Sequence, residues 1–148
     1  MSFQEKRNVV SLISTLLIFS IYSMYVFQKY QEGSFHTSNA FSFWGAFILI
    51  LIPVSILAKI IIHIVFSIVN TIATNEKEPR ITDELDQLIE LKSTRNSHYV
   101  FIIGFLLAMI PSVMDQPPYV MFIILISSGL LSEVIGVITQ LYLYRRGV

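Results

Sequence analysis

Four long apolar runs, at residues 9–27, 40–73, 99–114 and 119–143, constrain this chain more than anything else in it. A bilayer hydrocarbon core about 30 Å thick takes about 20 apolar residues of helix. Lipid offers the backbone no hydrogen-bond partners, so each run must satisfy its own peptide groups and is expected to be helical. The composition agrees, since 54% of the 148 residues are hydrophobic and 14% are charged. Soluble domains carry roughly 25% charged residues. The expected fold is all-α, a single transmembrane domain over residues 1–148 built as a four-helix bundle. The second run would reach roughly 50 Å as a helix. Either Pro53 bends it or it continues past the membrane. The third run is short and is expected to begin inside the polar segment before it. The first run exceeds a signal-peptide core and no small-x-small cleavage site follows, so it reads as a retained helix.

Charge is segregated along the chain, although its formal net value is zero. Lys6 and Arg7 precede the first run. Lys77, Arg80, Lys92 and Arg95 lie between the second and third. Arg145 and Arg146 follow the fourth. The loops around QEGSFHTSN and SVMDQPP hold only Lys29, at a span edge. Positive residues mark the cytoplasmic side, which predicts both termini and segment 74–98 in the cytoplasm. Trp44 and Tyr119 then belong at the outer interface, and Tyr142 and Tyr144 at the inner one.

Two charges fall inside the apolar runs. SILAKIIIHIV places Lys59 and His63 one turn apart, and the last run contains Glu133. Lys59 is fifteen residues beyond Trp44 and Glu133 fourteen beyond Tyr119, so each lies roughly 21–22 Å deep. A lone charge near the bilayer centre costs at least roughly 2.5–3.5 kcal/mol. A Lys59–Glu133 pair facing the interior would remove much of that. The alternative is a lysine that snorkels to the inner headgroups. Polar residues recur at helical spacing on both segments: Ser55, Lys59, His63, Ser67, Asn70 and Thr74 on one, Gly129, Ser132, Glu133, Gly136 and Gln140 on the other. These stripes predict an intramembrane polar cluster of Lys59, His63, Glu133 and Gln140. Ser128, Ser132 and Gly136 form a small-xxx-small row suited to close helix packing.

The segment NEKEPRITDELDQLIELKSTRNSHYV is the main polar stretch. Thr82 is a suitable N-cap, with Asp83 and Glu84 in the first turn at the positive end of the helix dipole. Ile81, Leu85, Leu88 and Ile89 share one face. This predicts an amphipathic helix at the inner surface, bending into the third span. Its acidic early part, with Asp83, Glu84, Asp86 and Glu90, suits docking on protein better than on an anionic leaflet, either on the basic Tyr144-Arg145-Arg146 tail or on a second subunit. Arg95 and the basic tail residues Arg145 and Arg146 complete the expected cytoplasmic interaction surface.

ITDELDQLIELKSTRNSHYVFIIGFLLAM, residues 81–109, and SEVIGVITQLYLYRRGV, residues 132–148, together resemble a family of small bacterial four-helix membrane proteins known as a domain of unknown function. The resemblance covers about a third of the chain. It rests on the acidic ITDE box before a basic-aromatic start of the third span, and on the QLYLYRRG ending. It implies a multi-pass protein of the bacterial inner membrane and carries no residue roles.

No phosphate loop, dinucleotide fingerprint, HExxH or GxSxG occurs, and the chain has no cysteine. No catalytic residue, metal ligand set or cofactor is therefore expected. Haem is the one cofactor with candidate ligands, His63 and His98 at the inner ends of two spans; His36 lies on the other side. Zero net charge gives no pull toward nucleic acid. The expected partners are the lipid bilayer and a second copy of the chain or another protein. Two functional expectations follow. One is a non-enzymatic partner-binding or regulatory module working through the cytoplasmic face. The other is a small ion-coupled transporter or carrier using the Lys59, His63 and Glu133 cluster.

Overall fold

The computed structural model describes residues 3–31, 40–74 and 84–146. They form four helices: α1 (Phe3–Gln31), α2 (Ala40–Thr74), α3 (Glu84–Val113) and α4 (Pro118–Arg146). All four are long and apolar enough to cross a membrane. Each is longer than the run that predicts it, because polar residues at the ends continue the helix. Pro53 and Pro111 both lie inside helices, and α2 continues as one helix through Pro53. Thr82, Asp83, Lys77, Arg80 and His36 lie outside the described residues.

Residues 84–98 are expected to be helical and to lead into the third span. They are the first half of one helix that runs without interruption to Val113. Ile89, Ser93, Gly104, Ala108 and Pro111 are its buried positions, and spacings of three, four, seven and eleven keep them on one face. That face runs across position 99, so packing on a neighbour holds the polar and apolar halves in line.

The neighbour is α4. The turn between them is short because α3 ends in a Schellman arrangement. Gln116 N–H donates to the Pro111 carbonyl (3.0 Å) and Asp115 takes a left-handed φ of 57°, a conformation short Asx side chains tolerate. Pro118 then opens α4, at the helix position where a missing N–H costs nothing. Along the seam the small residues meet. A methyl group on Gly104 would overlap the Ser128 side chain, and one on Gly136 would stand 3.4 Å from Ser97 Cβ. The small-xxx-small row read in the sequence thus packs on α3.

The fold is asymmetric. α4 touches all three other helices, and α1 lies against α2 and α4, but the α3 backbone approaches neither α1 nor α2. Among its described residues α2 buries only Phe47. The two ends of the bundle are tied differently. At one end the starts of α1 and α3 meet the end of α4: Tyr144 donates to Asp86 Oδ1 (2.8 Å), Gln4 Nε2 lies 3.4 Å from Asp86 Oδ2, and Arg145 stands 4.0 Å from Glu5. At the other, Trp44 stacks on Phe122 (6.2 Å, 7° between planes) and Phe47 lies against Trp44 and Tyr22. The Tyr22 hydroxyl donates to the Phe47 carbonyl (3.1 Å). Helices therefore alternate in direction, and the start of α1 and the end of α4 share one end.

Candidate functional site: an ion pair on the wall of an apolar cleft

Because α2 and α3 do not meet, a half-open cavity of about 670 Å³ remains between them, walled also by α1 and α4. Its lining is mostly aliphatic and aromatic, with Phe19, Phe101 and Phe105 supplying rings. Four polar side chains line it: Thr15, Ser55, Lys59 and Glu133. The Lys59 ammonium contacts Glu133 Oε1 directly. The Thr15 hydroxyl lies 3.3 Å from the same oxygen and 2.9 Å from the Ser11 carbonyl. It has one proton and donates to one of them at a time.

The helices place the pair for simple reasons. Trp44 and Phe122 stack and so mark a common level on α2 and α4. Lys59 is fifteen residues beyond Trp44 and Glu133 eleven beyond Phe122. The lysine backbone is thus about 6 Å deeper than the glutamate backbone, not level with it as the Tyr119 marker suggested. Helical side chains lean toward the N-terminus. The long lysine stem therefore reaches back up α2 and delivers its ammonium to the shorter glutamate. The two charges are not sealed in: side-chain exposure is 22% for Lys59 and 41% for Glu133, and the open part faces the cleft.

Of the other residues expected in this cluster, neither joins the cleft lining. His63 is half-buried one turn past Lys59. Gln140 belongs elsewhere, with its Nε2 donating to Ser93 Oγ (3.1 Å). It stands two turns beyond Glu133, about 10 Å along the axis, where α4 faces α3 rather than α2. Its stripe is helix-to-helix packing there, not part of a charged site.

At the end where α1, α3 and α4 meet, Asp86 bonds within the chain to Tyr144 and Gln4. Glu84 and Arg95 are exposed. Arg145 is exposed beside Glu5. Arg146 lies over the Tyr142 ring, 5.7 Å from its centroid, and contacts its hydroxyl. Asp83 lies outside the described residues. His98 is exposed on α3, which does not approach the α2 backbone that carries His63. Among the described residues no three or more His, Asp or Glu side chains cluster as a metal site would need.

Sequence reasoning did not find Thr15 as a third member of the site or the aromatic cluster on α1, α2 and α4; it set the acidic segment against the Tyr144-Arg145-Arg146 tail without singling out the Tyr144–Asp86 bond. Thr15 carried a faint signal, lying with Ser11 and Tyr22 on the polar face of α1. The aromatic cluster was foreshadowed by Phe41, Phe43, Trp44 and Phe47 crowding the start of α2, but their contact with Phe122 needs the fold.

Fold and site together define an all-α bundle of four helices able to cross a membrane, with an ion pair opening into a lateral apolar cleft. Comparison with protein-family models, curated proteins and solved structures finds no match to this chain.

Proposed function

We propose that this chain is a small multi-pass protein of a bacterial inner membrane that takes an amphipathic small molecule into the cleft between α2 and α3, and acts as an ion-coupled carrier. The observation that supports it most is the Lys59–Glu133 pair on the wall of a cavity of about 670 Å³. That volume falls in the range of roughly 300–1,000 Å³ typical of small-molecule sites. Ionisable groups at this depth commonly mark transport pathways or ligand sites. The distribution of Lys and Arg supports cytoplasmic termini, and the resemblance noted above supports the bacterial setting. A proton on Glu133 cancels its charge and frees the lysine. The pair then has two states, which a ligand and a proton can bias against each other. The open side of the cleft is where a second copy of the chain would complete the enclosure.

The test uses vesicles reconstituted with the protein and tail-labelled fluorescent amphiphiles bearing anionic, cationic, zwitterionic or uncharged heads. At least one should cross the bilayer faster than in protein-free vesicles. That acceleration should disappear in Glu133→Gln and depend on a pH difference across the membrane. A panel in which no amphiphile is accelerated refutes the carrier.

A second reading, a non-enzymatic module that docks a protein through its cytoplasmic end, is favoured by the exposure of Glu84, Arg95 and Arg145. It ranks lower because Asp86, one of the residues expected on that surface, is already bonded to Tyr144 and Gln4. Glu84→Lys and Arg95→Glu should each weaken co-purification of the partner from native membranes. Unchanged recovery with both variants removes this reading.

A further inference from the structure

We infer that the occupant of the cleft is a single-chain amphiphile whose head group is zwitterionic. This rests on the carrier reading and adds the ligand class. Three features of the cleft carry it. First, the site is charge-balanced, one ammonium against one carboxylate in direct contact. A head group with net charge would leave one unmatched charge in an apolar surround, which is costly there. A zwitterion keeps the balance by setting its anion on Lys59 and its cation on Glu133. Second, both charged side chains line the cavity and both are partly open to it. A site for a simple cation needs only the carboxylate open, and a site for an anion only the ammonium. Thr15, 3.3 Å from Glu133 Oε1, gives that oxygen a hydroxyl neighbour when the lysine turns away. Third, the charges occupy one end of the cleft. From Lys59 back to Ile48 the α2 lining is Ser55 and aliphatic residues, eleven residues or about 16 Å. That is about half of a 30 Å hydrocarbon core, the depth of one leaflet. Phe101 and Phe105 on α3 face the same space from the other wall. One chain lies along this length with its head at the pair.

The test is native mass spectrometry of the protein released from nanodiscs. Four amphiphiles of equal chain length are added in turn, with phosphoethanolamine, phosphoglycerol, trimethylammonium and glycerol heads. The zwitterionic phosphoethanolamine form should be retained at least about tenfold more than the anionic or cationic one, because only it leaves no charge unmatched. The double variant Lys59→Met/Glu133→Gln removes both charges and is expected to fold, since neutral replacement of a buried pair is tolerated. It should still retain chains but lose the preference among heads. Preference for the anionic, cationic or uncharged head in the wild-type protein overturns the ligand class and leaves the carrier standing. So does a preference that survives in the double variant. Retention of none of the four overturns both.

Discussion

At the scale of single residues, the question is why a chain keeps a lysine in the middle of a helix apolar enough to cross a membrane. The ammonium is tolerable because Glu133 meets it, and the carboxylate because Lys59 and Thr15 meet it. Each single removal should therefore be worse than removing both. Breaking a buried pair costs about 3–5 kcal/mol, and the partial exposure of Glu133 to the cleft lowers this to about 1–3 kcal/mol. Lys59→Met and Glu133→Gln should each destabilise by about that amount. The double variant should recover most of it. Steric-trap unfolding in bilayers measures all three. Additive losses in the double variant would show that the two side chains do not interact. The sequence made this pair legible because two ionisable residues stood alone in apolar runs at similar depth. Thr15 was not legible, since a threonine in a membrane helix is ordinarily packing and only the fold brings α1 to Glu133.

At the scale of helices, the α3–α4 hairpin is the firmest unit and α2 the loosest. Small side chains decide this. Gly104→Ala would drive a methyl group into Ser128, and overpacking of this kind costs about 1–3 kcal/mol. Ser128→Gly should restore much of the loss, because it removes the atoms that collide. Gly45→Ala, with nothing within 4 Å of the added methyl, should be neutral or slightly stabilising by helix propensity. Equal losses at positions 45 and 104 would mean that the seam is not what Gly104 serves. Tyr144→Phe should loosen the other tie between these helices by about 0.5–1.5 kcal/mol, the usual worth of one hydrogen bond; thermal unfolding in nanodiscs reads this. The element boundaries were only partly legible. Of the amphipathic segment, residues 84–89 are helical, but periodicity cannot say whether two helical stretches are separate or continuous. That is settled by the buried row from Ile89 to Pro111, which exists only against α4.

At the scale of the molecule, alternating helices put the start of α1 and the end of α4 together, and the Asp115 turn at the opposite end. Absence of cysteine makes this directly testable. Gln4→Cys and Arg146→Cys should react with a membrane-impermeant maleimide only in opened cells or inverted vesicles. Asp115→Cys should react in intact cells. Labelling of all three from one side would contradict the four-crossing arrangement, and a full reversal would contradict the positive-inside reading. The same arrangement explains the cleft: α4 is central, α3 is fully engaged with it, and α2 is left holding one wall.

What the sequence determined by itself is the number of helices, their approximate places and the segregation of charge between their ends. These depend on local hydrophobicity and length, which need no knowledge of neighbours. What only the tertiary structure decided is which faces meet. It assigned Gln140 to Ser93 rather than to the charged pair, made residues 84–113 one uninterrupted helix, chose Tyr144 as the tail residue that bonds Asp86, and left α2 and α3 apart. The reason is geometric. In lipid, apolar faces are nearly equivalent, so hydrophobic pattern does not choose partners. Close approach of small side chains, such as Gly104 on Ser128, makes that choice, and it depends on pairs of residues far apart in the chain.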